Sequence, residues 1–346
     1  MYNYEIIVEE LLSWYDNNAR ELPWRSNPLP YYVWVSEIML QQTRVEAVRG
    51  YFERFITELP DIKSLANARE EHLLKLWQGL GYYNRVRNLQ EAAKTVVDKY
   101  GGQLPSEYEE LVKLKGIGSY TAGAIASIAF GKQVPAVDGN VLRVMKRLAG
   151  SYDDILKASV KKDMEKQLLT IMPQRAGAFN QAIMDLGAMV CIPNGQPLCA
   201  KCPLSDYCVA HEKRIETQLP IKMKKKSRKI EKKTILVMEY AGKIAIRKRK
   251  NNGLLAGLWE LPNISEWVEK KNIVELLKKE TNDYQIKELG ENKHIFTHKE
   301  WHMIGYYIKL SGILKMDDYI WVSKEEIADK YAIPTAFSYF IGKFVL

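Results

Sequence analysis

Four cysteines lie within eighteen residues of this chain, as Cys191, Cys199, Cys202 and Cys208, in the spacing C-x7-C-x2-C-x5-C. Thiolates are the ligands that soft metal centres take, and four in one loop suit a 4Fe-4S cluster or a structural zinc ion. Structural zinc more often pairs two short C-x2-C knuckles, so a single knuckle with wider arms favours the cubane. Four thiols packed separately as small hydrophobes would not explain the clustering.

A second constellation surrounds a glycine turn. Leu114, Lys115, Gly116, Ile117 and Gly118 follow Ser106 and precede a small-residue helix expected over Tyr120 to Phe130. Two glycines around an aliphatic residue let the backbone turn sharply and aim the first amides of the second helix at an anion. Such a helix-hairpin-helix, spanning 106–130, grips a phosphate without reading bases. Gly-x-Gly alone also suits an ordinary helix-helix turn; its neighbours add weight. After the second helix comes Val134-Pro-Ala-Val-Asp-Gly-Asn140, leading into a helix over Val141 to Leu148. Asp138 is placed to cap that helix, which keeps its carboxylate ionised and so able to face a cationic transition state.

Helices must position these groups. Residues 4–212 read as a nearly unbroken helical series punctuated by Pro and Gly, with no run of alternating strand residues. Capping boxes are expected at Thr43 with Glu46 and at Ser106 with Glu109. The first separates a helix over Tyr31 to Gln41 from one with the apolar stripe Val45, Val48, Phe52, Phe55 and Leu59, leaving Gln41 and Gln42 at the corner. Residues 213–233 are rich in Lys and Arg and read as an exposed basic linker. Residues 234–346 change character. A hairpin turns at Ala241 and Gly242, a strand runs over Met303 to Leu310, and helices are expected over Ser265 to Lys279 and Ser323 to Lys330. The fold class is therefore multidomain, an all-α domain (1–212) with its metal loop (191–208), followed by an α+β domain (234–346).

Composition narrows the partners. The 346 residues hold 51 Lys and Arg against 42 Asp and Glu, a formal charge of +9. That balance favours a polyanion such as nucleic acid, although scattered surface lysines would give the same total. With 47% apolar residues the chain is not a disordered one. Met1 to Glu10 lacks the basic start and apolar core of a signal peptide, and no apolar run spans a bilayer, so a cytoplasmic location with reduced thiols and no membrane partner is expected.

The residues Leu22-Pro-Trp-Arg25, Ser36-Glu-Ile-Met-Leu-Gln-Gln-Thr43, Gly79-Leu-Gly-Tyr-Tyr83, the hairpin, Val137-Asp-Gly-Asn140, Phe179-Asn-Gln181 and the cysteines together resemble the adenine DNA glycosylases of the MutY type, within the endonuclease III superfamily. The wider superfamily shares the hairpin, the aspartate and often the cluster, but not the Ser-Glu-Ile-Met-Leu-Gln-Gln-Thr stretch. Glu37 lies there among Trp34, Ile38 and Met39, neighbours that favour a raised pKa; a solvated helix-face glutamate is the ordinary alternative, and the resemblance reverses that preference. It implies removal of adenine mispaired with 8-oxoguanine or guanine in duplex DNA, after extrusion of the base. Glu37 would protonate the adenine, and Asp138 would stabilise the sugar cation or bond to it transiently. Asn140 and Tyr120 would position the pair, and Arg25 and Gln181 would hold the base. Gln41, Gln42, Tyr82, Gly116, Ile117 and Gly118 would meet the DNA, with Gln42 and Tyr82 filling the opened stack. One 4Fe-4S cluster on the four cysteines, a monomeric state and action at the bacterial nucleoid are also implied.

Superfamily members that also cut the strand place a lysine after the hairpin glycines; here Ser119, Tyr120 and Thr121 stand there, which implies a monofunctional enzyme. Residues 253–262 and Phe296-Thr297-His298 resemble the family's Nudix-like domain, in which a Phe-Ser-His-like loop reads 8-oxoguanine; Thr297 keeps the hydroxyl of the serine it replaces. The helix after Pro262 lacks the magnesium-binding carboxylate spacing of true Nudix hydrolases. Two departures stand out: the first cysteine gap is one residue longer than the usual six, and Lys115 replaces a proline. A longer loop closes at little entropic cost, so the cluster is still expected. Two other readings remain: a glycosylase for another mispair such as thymine opposite guanine, and a non-catalytic iron-sulfur protein that senses DNA damage.

Overall fold

The computed structural model describes residues 2–223, 227–278, 280–281, 283–314 and 316–344. Contacts divide them into two units, one of residues 1–68 and 84–224 and a second of residues 69–83 and 225–346.

The first unit is built from helices, as its periodicity predicts. The helices Val8–Asn18, Gly139–Leu148 and Ala176–Met189 share one core, in which Leu11, Val141, Met145, Phe179 and Ile183 are buried. The Ser119–Phe130 helix packs against both Pro30–Leu40 and Ala176–Met189. Its small residues allow a close approach. A Cβ on Gly123 would lie 2.2 Å from the Pro135 carbonyl oxygen, so only glycine lets the segment before Asp138 settle against this helix. Asn180 secures the same segment as a fork, accepting from the Ala136 amide at 3.0 Å and donating to the Val134 carbonyl at 2.9 Å.

Neither predicted capping box forms. The helix after the corner starts at Val45 with Arg44 as its uncapped N-terminus, and the Thr43 hydroxyl turns back to the Gln41 carbonyl. Ser106 bonds the Glu107 side chain, and the short helix beginning at Tyr108 has no side-chain cap. Arg85 meets the other side of the corner. Its Nη1 donates to the Ile38, Met39 and Gln41 carbonyls at 2.8, 3.0 and 2.6 Å, satisfying the C-terminus of Pro30–Leu40 with a cation.

The expected linker is partly structured. Residues 213–223 belong to the first unit, where the Arg147 Nε donates to the Leu219 carbonyl at 2.9 Å and Ile221 bridges to Asp154. Apolar Leu219 and Ile221 explain this against the basic composition around them. Residues 224–226 of that linker, and Lys279 at the end of an expected helix, lie outside the described residues.

The second unit is a mixed sheet with helices on both faces. Its strands are β1 (Lys229–Tyr240), β2 (Lys243–Lys248), β3 (Trp259–Glu260), β4 (Asn263–Ile264), β5 (Tyr284–Ile295), β6 (Lys299–Leu310) and β7 (Tyr319–Val322). The order is β3-β2-β1-β6-β5, with β4 pairing β1 and β7 pairing β2. β1 and β6 are parallel, while β1 and β2 form the hairpin expected at Ala241 and Gly242. Alternation sorts β1 between two cores. Ile235 and Val237 join Phe337 and Phe340 on one face, and Met238 joins Ile273 and Leu277 of the Lys270–Lys278 helix on the other.

Residues 69–83 depart from the contiguous boundary that the sequence suggests, because their polar groups are met by the second unit. Lys75 Nζ donates to the Ile327 and Tyr331 carbonyls at 2.9 and 3.3 Å, Gln78 to the Ile333 carbonyl at 3.0 Å, and Lys248 pairs with Glu71 at 2.8 Å.

Candidate active site

Glu37 lies on the inner face of Pro30–Leu40 and is 5% exposed. Its Oε2 is buried without a hydrogen-bond partner among the described residues. Burial pushes its pKa from 4.5 up to about 7; a hydrogen bond from Tyr120 and the Arg25 charge oppose the rise, and Asp138 adds to it. The glutamate is therefore a group that holds a proton near neutrality.

Asp138 stands as the cap of Gly139–Leu148, as expected. Its Oδ1 accepts from the Asn140 and Val141 amides, both at 2.8 Å, and its Oδ2 accepts from Asn140 Nδ2 at 2.9 Å. Burial raises its pKa and these three donors pull against that rise. Asn140 is held in turn by Arg143 Nη1 at 3.0 Å, and Arg143 donates onward to the Cys191 and Gly187 carbonyls at 2.9 and 2.8 Å. A continuous set of hydrogen bonds thus joins Asp138 to the backbone of the cysteine loop.

Glu37, Asp138, Asn140, Tyr120, Arg25 and Gln181 all line one cavity of about 770 Å³, its open mouth included. That lies within the range of small-ligand pockets, roughly 300–1,000 Å³. Trp24 and Met184 supply apolar walls, and the Tyr120 hydroxyl lies 3.7 Å from Met184 Sδ. Arg25 is not free to reach across the cavity, because both its Nη atoms are forked onto Asp185 at 2.7 and 2.9 Å. Asp185 and Arg143 were not singled out from sequence, and Asn180 entered only within the Phe179-Asn-Gln181 match. The signal for Asp185 is a lone carboxylate inside the otherwise apolar run 182–190.

The remaining predicted residues lie elsewhere. Gln41 reaches Thr121 Oγ1 at 3.4 Å, while Gln42 is exposed at the corner with φ +60°. Gly116 and Gly118 are exposed and Ile117 is buried as their anchor. Gly116 has φ +81°, and a Cβ there would meet Asn88 at 2.8 Å, so both conformation and space demand glycine. Lys115, at the departure from proline, pairs with Glu91. In the second unit, Phe296, Thr297 and His298 form the turn between β5 and β6. Phe296 packs edge-on against Trp301 at 4.9 Å, and Thr297 Oγ1 meets the Tyr82 hydroxyl at 3.0 Å. Tyr82 itself is exposed, with φ +48°.

The four cysteines line a single apolar cavity of about 410 Å³ with Arg147, His211 and Glu216. All are free thiols. Burial, and then the neighbouring cysteines, push the Cys202 thiol up to about 12, while burial and Glu216 raise Cys199 to about 11. Four sulfurs converging on one cavity, with the thiols of Cys199, Cys202 and Cys208 penalised for ionising, fit a cationic metal centre that would stabilise them as thiolates. Arg147 adds a donor 3.3 Å from Cys191 Sγ.

Comparison with known proteins matches residues 35–170 to the HhH-GPD superfamily of base excision DNA repair proteins and residues 234–343 to the NUDIX domain. A Buchnera aphidicola (subsp. Schizaphis graminum) protein named adenine DNA glycosylase is 35% identical over 88% of this chain and 88% of its own length. This chain belongs to the adenine DNA glycosylase family. The human adenine DNA glycosylase is 36% identical over 87% of this chain, which spans 66% of the human protein. Among solved structures, a thermostable thymine-DNA glycosylase aligns with TM-score 0.55 and 28% identity, covering 60% of this chain and 96% of its own. A non-covalent endonuclease III–DNA complex aligns with TM-score 0.53 and 28% identity, over 61% of this chain and 95% of its own. The chain thus combines a helical HhH-GPD region with a sheet-containing Nudix-like domain. No helix among the described residues is long and apolar enough to cross a membrane.

Proposed function

We propose that this chain is a monofunctional base-excision glycosylase that hydrolyses the N-glycosidic bond of adenine opposite 8-oxoguanine or guanine in duplex DNA. The observation that carries the reading is the shared pocket of two unlike carboxylates, a buried Glu37 with a pKa near 7 and an Asp138 held by three donors.

Adenine leaves the stack and enters the cavity against Trp24 and Met184, with Arg25 and Gln181 at its edge. Glu37 donates its proton to N7, so the electrons of the breaking C1′–N9 bond pass into a base that leaves neutral. Asp138 faces the sugar cation, or bonds to C1′ transiently, while Asn140 and Tyr120 fix the two carboxylates. Water then supplies hydroxide to C1′, and its second proton returns to Glu37. Among the described residues no lysine lines the pocket to form a Schiff base, in keeping with base release without strand cleavage.

Gly116, Ile117 and Gly118 offer backbone amides to a phosphate, and Gln41, Gln42 and Tyr82 sit at turns suited to entering the opened stack. Phe296, Thr297 and His298 present a ring, a hydroxyl and an imidazole to the oxidised base. Cys191, Cys199, Cys202 and Cys208 would hold one 4Fe-4S cluster, which when bound supplies iron–sulfur bonds that staple the loop. The enzyme acts as a monomer wherever the cell keeps its DNA.

Single-turnover cleavage of duplexes carrying A opposite 8-oxoguanine, A opposite G, A opposite T and T opposite G tests the reading. Release of adenine from the first, more slowly from the second and not from the others, is expected. Preferential release of thymine opposite guanine would replace it with the thymine reading that the fold likeness alone also allows.

A further inference from the structure

Asp185 is the one acidic side chain that the Ala176–Met189 helix sends toward the pocket wall, yet it does not line the cavity. It is wholly buried and makes five short contacts with two arginines. Oδ1 accepts from Arg20 Nε at 2.8 Å, lies 2.7 Å from Arg20 Nη2, and accepts from Arg25 Nη2 at 2.9 Å. Oδ2 accepts from Arg25 Nη1 at 2.7 Å and from the Arg20 amide at 3.1 Å. The side chains of Arg25 and Arg20 are 13% and 23% exposed, so water screens them little.

The charged and titratable groups that face Glu37 come from every element around it. Arg20 and Arg25 come from the N-terminal turns, Tyr120 from Ser119–Phe130, and Asp138 from the segment before Gly139–Leu148. Arg25 is the cation whose field acts on Glu37. Both Nη atoms of that guanidinium are committed to a carboxylate behind the pocket wall.

We infer that Asp185 is a positioning residue for the proposed reaction, which captures Arg25 as a bidentate fork, keeps the guanidinium from pairing with Glu37 and partly offsets its charge, leaving the glutamate able to act as a proton donor. The inference rests on the reading of Glu37 as the general acid. With Asp185 ionised, the Arg20–Asp185–Arg25 triad carries one net positive charge; with a neutral side chain it carries two, and Arg25 is released toward the nearest remaining anion.

The test is the pH profile of single-turnover adenine release from A opposite 8-oxoguanine, with the full-length chain. In the native protein the rate falls on the alkaline side as Glu37 loses its proton. In Asp185→Asn that limb moves to lower pH by about one unit, the lower end of the effect of a nearby opposite charge on a carboxyl. Arg20→Gln removes a cation and leaves the Arg25 fork in place, so it moves the limb the opposite way. Opposite displacements support the inference, since a merely structural role lowers the amplitude of both profiles and moves neither. A folded Asp185→Asn protein with an unmoved limb, or two limbs displaced in the same direction, overturns it. If Asp185→Asn does not fold, Arg25→Lys decides, because it keeps the charge and loses the bidentate fork: a downward displacement supports the inference and an unmoved or upward limb overturns it. A native protein with no alkaline limb, or undiminished release by Glu37→Gln, would instead refute the general-acid reading beneath it.

Discussion

Replacing Glu37 with glutamine tests the site in two independent ways, because the same burial that makes the glutamate a proton donor also destabilises the fold. Gln keeps the shape and removes the titration. The pKa of Glu37 in the folded chain is about 7 against an ordinary 4.5. At pH 7 about half of the folded molecules then carry the proton, whereas an unperturbed glutamate would carry it in roughly one molecule in three hundred. Burial therefore enriches the acid form on the order of a hundredfold. Loss of a general acid commonly costs about 10²- to 10⁴-fold in rate, so Glu37→Gln should lose at least the lower figure in single-turnover release while still binding duplex.

The stability consequence has a definite sign. A carboxyl whose folded pKa is raised binds its proton more tightly when folded, so its contribution is fully present below about pH 4.5 and is lost as pH rises through 7. The displacement corresponds to about 3 kcal/mol of burial penalty on the ionised form at alkaline pH. Urea denaturation of the native and Glu37→Gln chains at several pH values measures it. The variant should match the native chain near pH 4.5 and gain up to about 3 kcal/mol above pH 7. A stability difference that does not vary with pH would mean that Glu37 does not titrate in the window that the pocket dictates. Near-native release rates would refute its role whatever the stability shows.

Three further outcomes are expected. Protein purified without chelators should be brown and contain about four iron atoms per chain, and Cys202→Ala should lose the iron and the colour; stoichiometric zinc in its place would refute the cluster. Gly123→Ala must displace the Pro135 carbonyl that its Cβ would meet at 2.2 Å, so it should cost about 1–3 kcal/mol in denaturation and slow release by moving Asp138; native stability would refute the packing argument. Substituting Phe296, Thr297 and His298 together should erase the preference for A opposite 8-oxoguanine over A opposite G while leaving the slower reaction intact, and an equal loss on both duplexes would refute a reading role for that turn.

Much of the site was legible because its chemistry is local in sequence. Asp138 caps the helix that begins one residue later, so its place follows from residue type and position. The cysteines announce their loop by clustering. Gly116 announces its turn by backbone freedom. Glu37 needed the resemblance, since a glutamate among apolar neighbours is equally compatible with a solvated face. What stayed hidden is non-local. Asp185 meets Arg20 and Arg25 across separations of 165 and 160 residues, and nothing in its own neighbourhood announces that pairing. Strand β5 was missed because, of its twelve residues, only Leu289 is buried, so its pattern carries little alternating apolar signal. The membership of residues 69–83 in the second unit depends on carbonyls at 327, 331 and 333 that are more than 250 positions away. The capping boxes failed for the opposite reason. They are purely local patterns, and at the corner the Thr43 hydroxyl bonds the Gln41 carbonyl and accepts from the tertiary donor Arg85, each at 3.4 Å, instead of taking an amide of the next helix.

Two carboxylates in one cavity need different protonation states for the proposed chemistry, and their difference is built from hydrogen-bond donors rather than from depth alone. Burial raises both pKa values. Asp138 receives two backbone amides and an Asn140 amide because it sits at a helix start, where donors are supplied by the backbone and cannot be withdrawn. Glu37 sits in the third turn of a helix, where every nearby amide is already spent, and one of its oxygens has no donor among the described residues. The anion is thus stabilised at one position and left costly at the other. Exchanging the roles would require moving a helix terminus, not a side chain, which is why the positions of Gly139 and Pro30, the first residues of the two helices, matter to the chemistry as much as the carboxylates themselves.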